Sequence, residues 1–194
     1  MPTDFKQRAR EYFQSARSTL DGLKVETLDE IYRAIRDAYL QDRQVFTMGN
    51  GGSAALASHF AVDLGKGTVA EGRRRFRVLS LVDNTPVMTA YANDFSYPDV
   101  FSEQIRTLAR AGDLVFGISG SGNSPNVLNG LKAAREAEAR TVVLTGYQGG
   151  KAAALADIAV VIPSNDMQHI EDCHLMLAHL FMQAMRDFVR ESDR

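Results

Sequence analysis

The amino-acid sequence predicts an α/β fold built around an open, five-stranded parallel sheet. Short apolar runs typical of buried parallel strands alternate with segments at helical spacing. Two of these runs pass directly into loops rich in glycine and serine, each followed by a helical segment. No repeat or low-complexity linker divides the 194 residues, so we expect one domain over 1–194, with N-terminal helices in 1–41 and a sheet–helix core in 42–190.

Two helical segments precede the first strand, within residues 3–41. The second begins at about Glu26 and repeats apolar residues at helical spacing, namely Leu28, Ile31, Tyr32, Ile35, Tyr39 and Leu40. Because both segments lie ahead of the sheet, neither is a crossover helix. We expect them either to form a surface between copies of the chain or to pack on their own domain.

The first strand, residues 45–48, leads into the loop Gly-Asn-Gly-Gly-Ser over 49–53 and then into a helix over 54–64. Such a turn forms an anion cradle, because free backbone N–H groups and the positive helix end point at one place. Gly49, Gly51 and Ala54 also satisfy the dinucleotide-binding fingerprint. That fingerprint further requires an acidic residue at the end of the second strand.

The second strand, residues 76–81, does not supply this acid. Glu71 has the required spacing but lies in a polar loop, and the strand runs instead into Val82, Asp83 and Asn84. The dinucleotide match is therefore weak. Three arginines in the same loop, at 73–75, either clamp a phosphate or face solvent, as short basic runs usually do.

Between the second and third strands we expect a short helix after Pro86 and another over about 100–110. Asn93 and Asp94 are predicted in a turn between them. Asx side chains in such turns commonly satisfy local backbone groups, which is the plain interpretation of this pair.

The third strand and the serine loop that follows it are the most informative stretch. The apolar run 114–118 passes into a loop containing Ser119, Ser121 and Ser124, and Pro125 is placed to open a helix. The three hydroxyls can add donors to a second anion cradle, and the glycines between them allow close approach. The alternative is an ordinary turn, but three hydroxyls in six positions exceed what a turn needs. A phosphate on a small molecule is the favoured ligand.

The remaining chain continues the alternation. In order it predicts a helix over 126–138, a strand over 141–145, a helix over 151–156, a strand over 157–162 and a long helix over 168–189. In open parallel sheets, ligands bind beyond the carboxyl ends of the strands. The glycine loop and the serine loop both lie at such ends.

Composition argues against several classes of function. The chain has 22 basic and 24 acidic residues, which gives no reason to expect a nucleic-acid or membrane surface. No apolar run approaches the ~20 residues that span a bilayer, and the first residues lack the apolar core of a signal peptide. Cys173 is the single cysteine, so no internal disulfide can form. We expect a cytoplasmic protein whose ligand is a small molecule.

Five segments together resemble the phosphoheptose isomerase family of sugar isomerase (SIS) domain proteins. They are Gly-Asn-Gly-Gly-Ser at 49–53, His-Phe-Ala at 59–61, Ala-Asn-Asp at 92–94, Ile-Ser-Gly-Ser-Gly-Asn-Ser at 118–124 and Leu-Thr-Gly at 144–146. The resemblance covers about residues 40–185. It implies a three-layer, flavodoxin-like SIS domain in a homotetramer. It also implies interconversion of sedoheptulose 7-phosphate and D-glycero-D-manno-heptose 7-phosphate.

The same resemblance implies roles for individual residues. Phosphate would sit on Ser119, Gly120, Ser121 and Ser124, while the sugar would be held by Asn50, Gly51, Gly52, Ser53, Asn93, Asp94 and Glu171. Zinc would be bound by His59, Asp63, Glu171 and His179, with Asp63 as the catalytic base and His179 as acid or metal ligand. Asp63 and Glu171 replace a glutamate and a glutamine of the family pattern, and Gly120 replaces a threonine but still offers its N–H.

The spacing of the four metal candidates limits how they can meet. His59 and Asp63, four residues apart, share one helix face. Glu171 and His179 are eight apart, a rise of ~12 Å along one helix, whereas zinc–ligand bonds are only ~2.0–2.2 Å. Either the last helix begins after Glu171, or the two residues act from different subunits, or only His179 is a ligand.

Two classes of function remain after this comparison of residues. One is a ketose–aldose isomerase, acting on the heptose phosphate or on another sugar phosphate. The other is a non-catalytic SIS protein that binds a sugar phosphate or a protein, such as the bacterial replication initiator. The acidic group at Asp63 favours the enzyme, because a binding protein does not need it.

The last helix also suggests how copies of the chain associate. It carries more apolar residues than one face packed on its own sheet would use, namely Leu175, Met176, Leu177, Leu180, Phe181, Met182, Met185 and Phe188. We expect it to join the N-terminal helices in a homo-oligomer, most simply a tetramer. The alternative is a helix buried deeply within the monomer.

Overall fold

The computed structural model describes residues 4–191 and has the predicted α/β architecture. Its elements in order are α1 Phe5–Asp21, α2 Val25–Leu40, β1 Gln44–Gly49, α3 Gly52–Val62, a π-helical turn Asp63–Gly67, β2 Arg77–Ser80, α4 Thr85–Asp94, a 3-10 turn Tyr97–Asp99, α5 Ser102–Leu108, β3 Leu114–Ile118, α6 Pro125–Glu136, β4 Arg140–Thr145, α7 Gly150–Leu155, β5 Ile158–Val161 and α8 Met167–Glu191. None of these helices combines the length and hydropathy needed to cross a membrane.

All five strands are parallel and follow the order β2-β1-β3-β4-β5. This is the flavodoxin-like order, so the predicted fold class is confirmed. Because β1 and β3 are neighbours, with Gly49 opposite Ile118, the loops that follow them emerge side by side at the carboxyl edge. The sheet itself therefore brings the glycine loop and the serine loop together.

The two faces of the sheet support separate apolar layers. Phe116 of β3 faces one layer, which α2, α3 and α8 complete with residues such as Phe60 and Phe181. Val115 faces the other, where α5 and α6 contribute side chains such as Ile105. Alternate residues of one strand thus point into both layers, as expected for a sheet covered on each side.

The N-terminal helices differ in how they pack. Ile31 and Ile35 of α2 are fully buried in the first layer, so α2 packs on its own domain. Helix α1 lies against α8, where the Tyr12 hydroxyl donates a hydrogen bond to Asp172. This bond is the main cause that raises the pKa of Tyr12 to about 12. The outer face of α1 leaves Phe5 and Phe13 exposed.

One prediction about the loops is corrected. Asn93 and Asp94 are not in a turn but in the last turn of α4, because the helix continues to Asp94 before Phe95 ends it. In the arginine run at 73–75, Arg74 and Arg75 are exposed, as the solvent-facing alternative predicts. The Arg74 guanidinium donates to the carbonyl oxygens of Tyr39 and Leu40, tying this loop to the end of α2.

Candidate functional site

The serine loop has the conformation of an anion cradle. Ser124 caps α6 with an extended backbone, and Pro125 is the first helical residue, as predicted. The hydroxyl oxygens of Ser119 and Ser124 lie 3.1 Å apart, and the Asn123 amide donates to the Ser121 hydroxyl at 3.2 Å. The Ser119 and Ser124 hydroxyls therefore meet at the start of the helix.

A cavity of about 150 Å³ lies over this loop. Its wall is formed by Asn50, Ser53, Ile118, Ser119, Gly120, Ser121, Ser124, Met167 and Glu171. The backbone amides of Gly120, Ser121 and Ser124 donate no hydrogen bond within residues 4–191. Neutral hydroxyl and amide donors at a helix N-terminus suit a bound phosphate.

A second glycine-rich loop, after β4, holds the serine loop in shape. Gly122 has a positive φ of 64°, and a methyl group placed on it would come within 2.1 Å of the Gly149 carbonyl oxygen. The amide of Ala152 donates to the Gly122 carbonyl at 2.9 Å, and that of Lys151 donates to the Asn123 side chain at 3.2 Å. The backbones of the serine loop and of the loop after β4 thus pack directly on each other, which only glycine at 122 allows.

The glycine loop is held by an amide pair that sequence reasoning missed. The side chains of Asn50 and Asn126 exchange two hydrogen bonds, both 2.8 Å long. Tyr97 adds a third bond, from its hydroxyl to Asn50 Oδ1 at 2.9 Å. Asn126 lies directly after Pro125, and this position beside the cradle was the available signal. The pair joins the two loops of the site.

A compact cluster of His59, Asp63 and His179 forms where α3 meets α8. The Nε2 atoms of the two histidines are 3.0 Å apart, and Asp63 Oδ2 lies 3.4 Å from His59 Nε2 and 3.9 Å from His179 Nε2. Asp63 is mostly buried while both imidazoles are about half exposed. Asp63 begins the π-helical turn, a feature often found at functional sites.

The cluster fits a zinc ion. Donor atoms around a tetrahedral zinc at ~2.0–2.2 Å are about 3.4 Å apart, close to the three separations found here. Asp63 Oδ2 is buried and has no hydrogen-bond partner among the described residues, which is costly for a carboxylate oxygen without a cation or donor. Two imidazoles and one carboxylate are also ligands that zinc accepts.

Glu171 lies apart from this cluster. Both Glu171 and His179 belong to α8, which begins at Met167, so the first alternative for their meeting is excluded. The Glu171 carboxylate lies over Gly52, where an added methyl group would come within 2.8 Å of Oε1. The group of possible metal ligands within 4.8 Å of one another consists of His59, Asp63 and His179 and does not include Glu171.

Glu171 instead separates two adjoining cavities. It lines the cavity over the serine loop and a second cavity of about 290 Å³ toward His59. The wall of this second cavity consists of Gly52, Ser53, Ala55, Leu56, His59, Glu171, Asp172, His174 and Leu175. The two cavities share Ser53 and Glu171, so a single elongated molecule can lie across both.

Asn93 and Asp94 line neither of these cavities. They are exposed at the end of α4, where the Asn93 side chain donates to the Asp94 carboxylate at 2.8 Å. A larger cavity, of about 650 Å³, lies between β2, α4 and α5 and contains none of the predicted site residues. Volume alone therefore does not locate the candidate site, which is defined by its donors and its cluster.

Comparison with known proteins decides the family. A family model described as the SIS domain matches residues 11–146, more than half of the chain. The phosphoheptose isomerase of Aliarcobacter butzleri is 41% identical over 158 residues, which cover 81% of this chain and 83% of that protein. The chain belongs to the phosphoheptose isomerase family of SIS-domain proteins.

Other members of the phosphoheptose isomerase family agree. The probable phosphoheptose isomerase of Thermoplasma volcanium is 34% identical over 178 residues, covering 92% of this chain and 90% of that protein. The solved phosphoheptose isomerase of Neisseria gonorrhoeae has a TM-score of 0.87 and 31% identity, covering 95% of this chain and all of that one. That of Francisella tularensis, at 23% identity and a TM-score of 0.88, supports the fold.

Proposed function

We propose that this protein is a ketose–aldose isomerase that interconverts sedoheptulose 7-phosphate and D-glycero-D-manno-heptose 7-phosphate. The observation that carries the proposal is the pair of adjoining cavities, one over the serine loop and one toward His59. The donor-rich cradle of the first cavity suits a phosphate. Of the cluster, His59 lines the second cavity, and the Asp63 carboxylate proposed for proton transfer lies 3.4 Å from its Nε2. Family membership supports the same activity.

The phosphate is proposed to bind at Ser119, Gly120, Ser121 and Ser124. The free amides and the start of α6 supply partial positive charge there. The sugar chain then passes Asn50, Gly51, Gly52, Ser53 and Glu171 toward the cluster. Asn93 and Asp94 would need α4 to approach the glycine loop before they could touch the sugar.

Asp63 is proposed as the base. It removes a proton from C1 of the ketose while the C2 carbonyl oxygen gains one, which gives an enediol(ate). The proton returned to C2 and the loss of the O1 proton complete the aldose. His179, 3.9 Å from Asp63, is proposed to move the proton between the two oxygens. A bound zinc, held by His59, Asp63 and His179, would polarise the carbonyl.

The Asp63 carboxylate also favours the enzyme over a non-catalytic SIS protein. Its buried oxygen lies between two imidazoles, yet has no hydrogen-bond partner among the described residues. A protein that only binds a sugar phosphate or a protein partner gains nothing from this cost.

A homotetramer is proposed for the assembly. Leu175, Met176 and Leu180 project from the outer side of α8 and are 39%, 49% and 49% exposed. Phe5 and Phe13 of α1 and Val62 of α3 are also exposed on the elements that flank α8. Apolar residues grouped on neighbouring elements favour association.

A direct assay tests the activity. Purified protein supplied with zinc is mixed with sedoheptulose 7-phosphate in D2O, and the sugar is followed by NMR. We expect an aldose heptose 7-phosphate to appear. Unchanged ketose, with and without zinc, would contradict the proposal.

A further inference from the structure

His174 is a fully buried histidine of α8 that the proposed reaction does not use. Its ring is 0% exposed, yet the residue lines the cavity between Gly52 and Glu171. On one side, its Nε2 lies 3.1 Å from the carbonyl oxygen of Thr145, the last residue of β4. This contact fixes the ring between the sheet and the cavity.

The contact with Thr145 determines which ring nitrogen carries hydrogen. A carbonyl oxygen can only accept, so Nε2 must be the donor and Nδ1 must hold a lone pair. Nδ1, the other ring nitrogen, is buried and has no hydrogen-bond partner among residues 4–191. Burial lowers the pKa of His174 to about 4. At neutral pH the ring is therefore uncharged, and Nδ1 is a permanent hydrogen-bond acceptor.

The polar groups around this part of the cavity have a common character. Glu171, one turn before His174, contributes a carboxylate, Asp172 another, and Ser53 a hydroxyl. His59 is the other imidazole in the wall, and none of the lysines and arginines within 4–191 belongs to it. Acceptors dominate, in contrast to the donors of the serine loop. Such a wall suits groups that donate hydrogen, as the hydroxyls of a sugar chain do.

We propose that His174 is a positioning residue for the substrate, accepting a hydrogen bond at Nδ1 from a sugar hydroxyl in this cavity. The inference rests on the proposed function and deepens it, because it assigns the phosphate to the donor-rich cavity and the polyol chain to the acceptor-rich one. Shielding from bulk water strengthens this bond. It also leaves a buried acceptor unpaired when the hydroxyl is missing, which gives selectivity against deoxy sugars.

Two substitutions separate the two nitrogens. In His174→Gln the side-chain amide reaches as far as Nε2, so it keeps a donor for Thr145 and loses the Nδ1 acceptor. In His174→Asn the amide oxygen can take the place of Nδ1, but the Thr145 bond is lost. If His174 has only a structural role, glutamine should replace it with less effect than asparagine. If His174 positions the substrate, asparagine should preserve substrate binding better than glutamine.

The test uses the intact protein and begins with wild-type turnover of sedoheptulose 7-phosphate, whose failure would concern the proposed function alone. We expect His174→Gln to raise KM about three- to tenfold, the value of one hydrogen bond, with kcat and Tm little changed. We expect His174→Asn to lower Tm but keep KM within about twofold. Wild-type KM in the glutamine variant, or equal rises in both, would overturn the proposal.

A spectroscopic readout needs no variant. The chain has four histidines, so the ring nitrogens of His174 can be assigned in a long-range proton–nitrogen spectrum. On addition of sedoheptulose 7-phosphate, we expect its unprotonated Nδ1 resonance to move upfield, as an acceptor nitrogen does when it gains a hydrogen bond. A resonance unmoved at saturating substrate would overturn the proposal.

Discussion

Among single residues, Asp63 matters most for the proposed chemistry. Its carboxylate combines three properties that surface acids rarely share: it is mostly buried, one oxygen has no hydrogen-bond partner within residues 4–191, and two imidazoles lie within 4 Å. We therefore expect Asp63→Asn to lower kcat at least 100-fold, the size of effect typical of a lost general base. Phosphate binding and Tm should be retained, which an isotherm with inorganic phosphate and a thermal melt would check.

His179→Ala is expected to abolish turnover in the same way. Chelation should also remove activity if the cluster holds zinc, and added zinc should restore it. Full activity in the His179 variant would place the chemistry elsewhere. Activity that survives chelation would exclude a metal from the reaction and leave Asp63 as the base.

Ser121 tests the phosphate end of the site independently of the chemistry. A hydrogen bond to a charged group contributes about 1.5–3 kcal/mol, so Ser121→Ala should weaken binding of a sugar phosphate about tenfold or more. The dephosphorylated sugar serves as the control, because it should bind weakly and with equal affinity to the wild type and the variant. Unchanged affinity for the phosphorylated sugar would show that the Ser121 hydroxyl does not bind the phosphate.

His174 connects the site to stability through its ionisation. Its folded pKa, about 4, lies below the ordinary value of 6.5, so between these pH values the unfolded chain binds more protons. The contribution to stability is complete above pH 6.5 and is lost as the pH falls toward 4, by about 3 kcal/mol. Urea unfolding at several pH values should show this loss in wild type. The His174→Gln variant, measured in parallel, should show a correspondingly smaller loss.

At the scale of elements, the site is built where loops interlock. The serine loop was predictable, since an apolar run, three hydroxyls and a helix-opening proline are local features. Its support from Gly149 and Gly150 was not, because the two loops meet only through the pairing of β3 with β4. The same reason hid the Asn50–Asn126 pair. The π-helical turn at Asp63 gave no sequence pattern at all.

The interlock predicts a strong effect of Gly122→Ala. The added carbon would lie 2.1 Å from the Gly149 carbonyl oxygen, and the loop would hold alanine at a positive φ. We expect lower Tm and weaker sugar-phosphate binding together. Gly67→Ala is the matched control, because its carbon meets only the Met182 side chain, at 3.1 Å, and Gly67 has no positive φ. Equal behaviour of the two variants would argue against a rigid contact between the loops.

At the scale of the whole molecule, α8 has two separate tasks. Its inner face fills the core with Leu177, Phe181 and Met185, while its outer face leaves Met176 and Leu180 half exposed. The sequence showed an excess of apolar residues but could not divide them between core and surface. We expect light scattering to give four times the 21.4 kDa chain mass, about 86 kDa. Leu180→Asp should lower that mass, and a wild-type monomer at micromolar concentration would contradict the proposed assembly.

In the proposed binding mode, one sugar phosphate spans both cavities, with its phosphate on the serine loop and its reacting carbons at the cluster. The most direct measurement is a crystal structure of the Asp63→Asn variant with sedoheptulose 7-phosphate. We expect the phosphate oxygens to be hydrogen-bonded to Ser119, Ser121 and Ser124, and C1 and C2 of the sugar to lie beside position 63 and His179. A phosphate bound elsewhere, or carbons C1 and C2 directed away from the cluster, would contradict it.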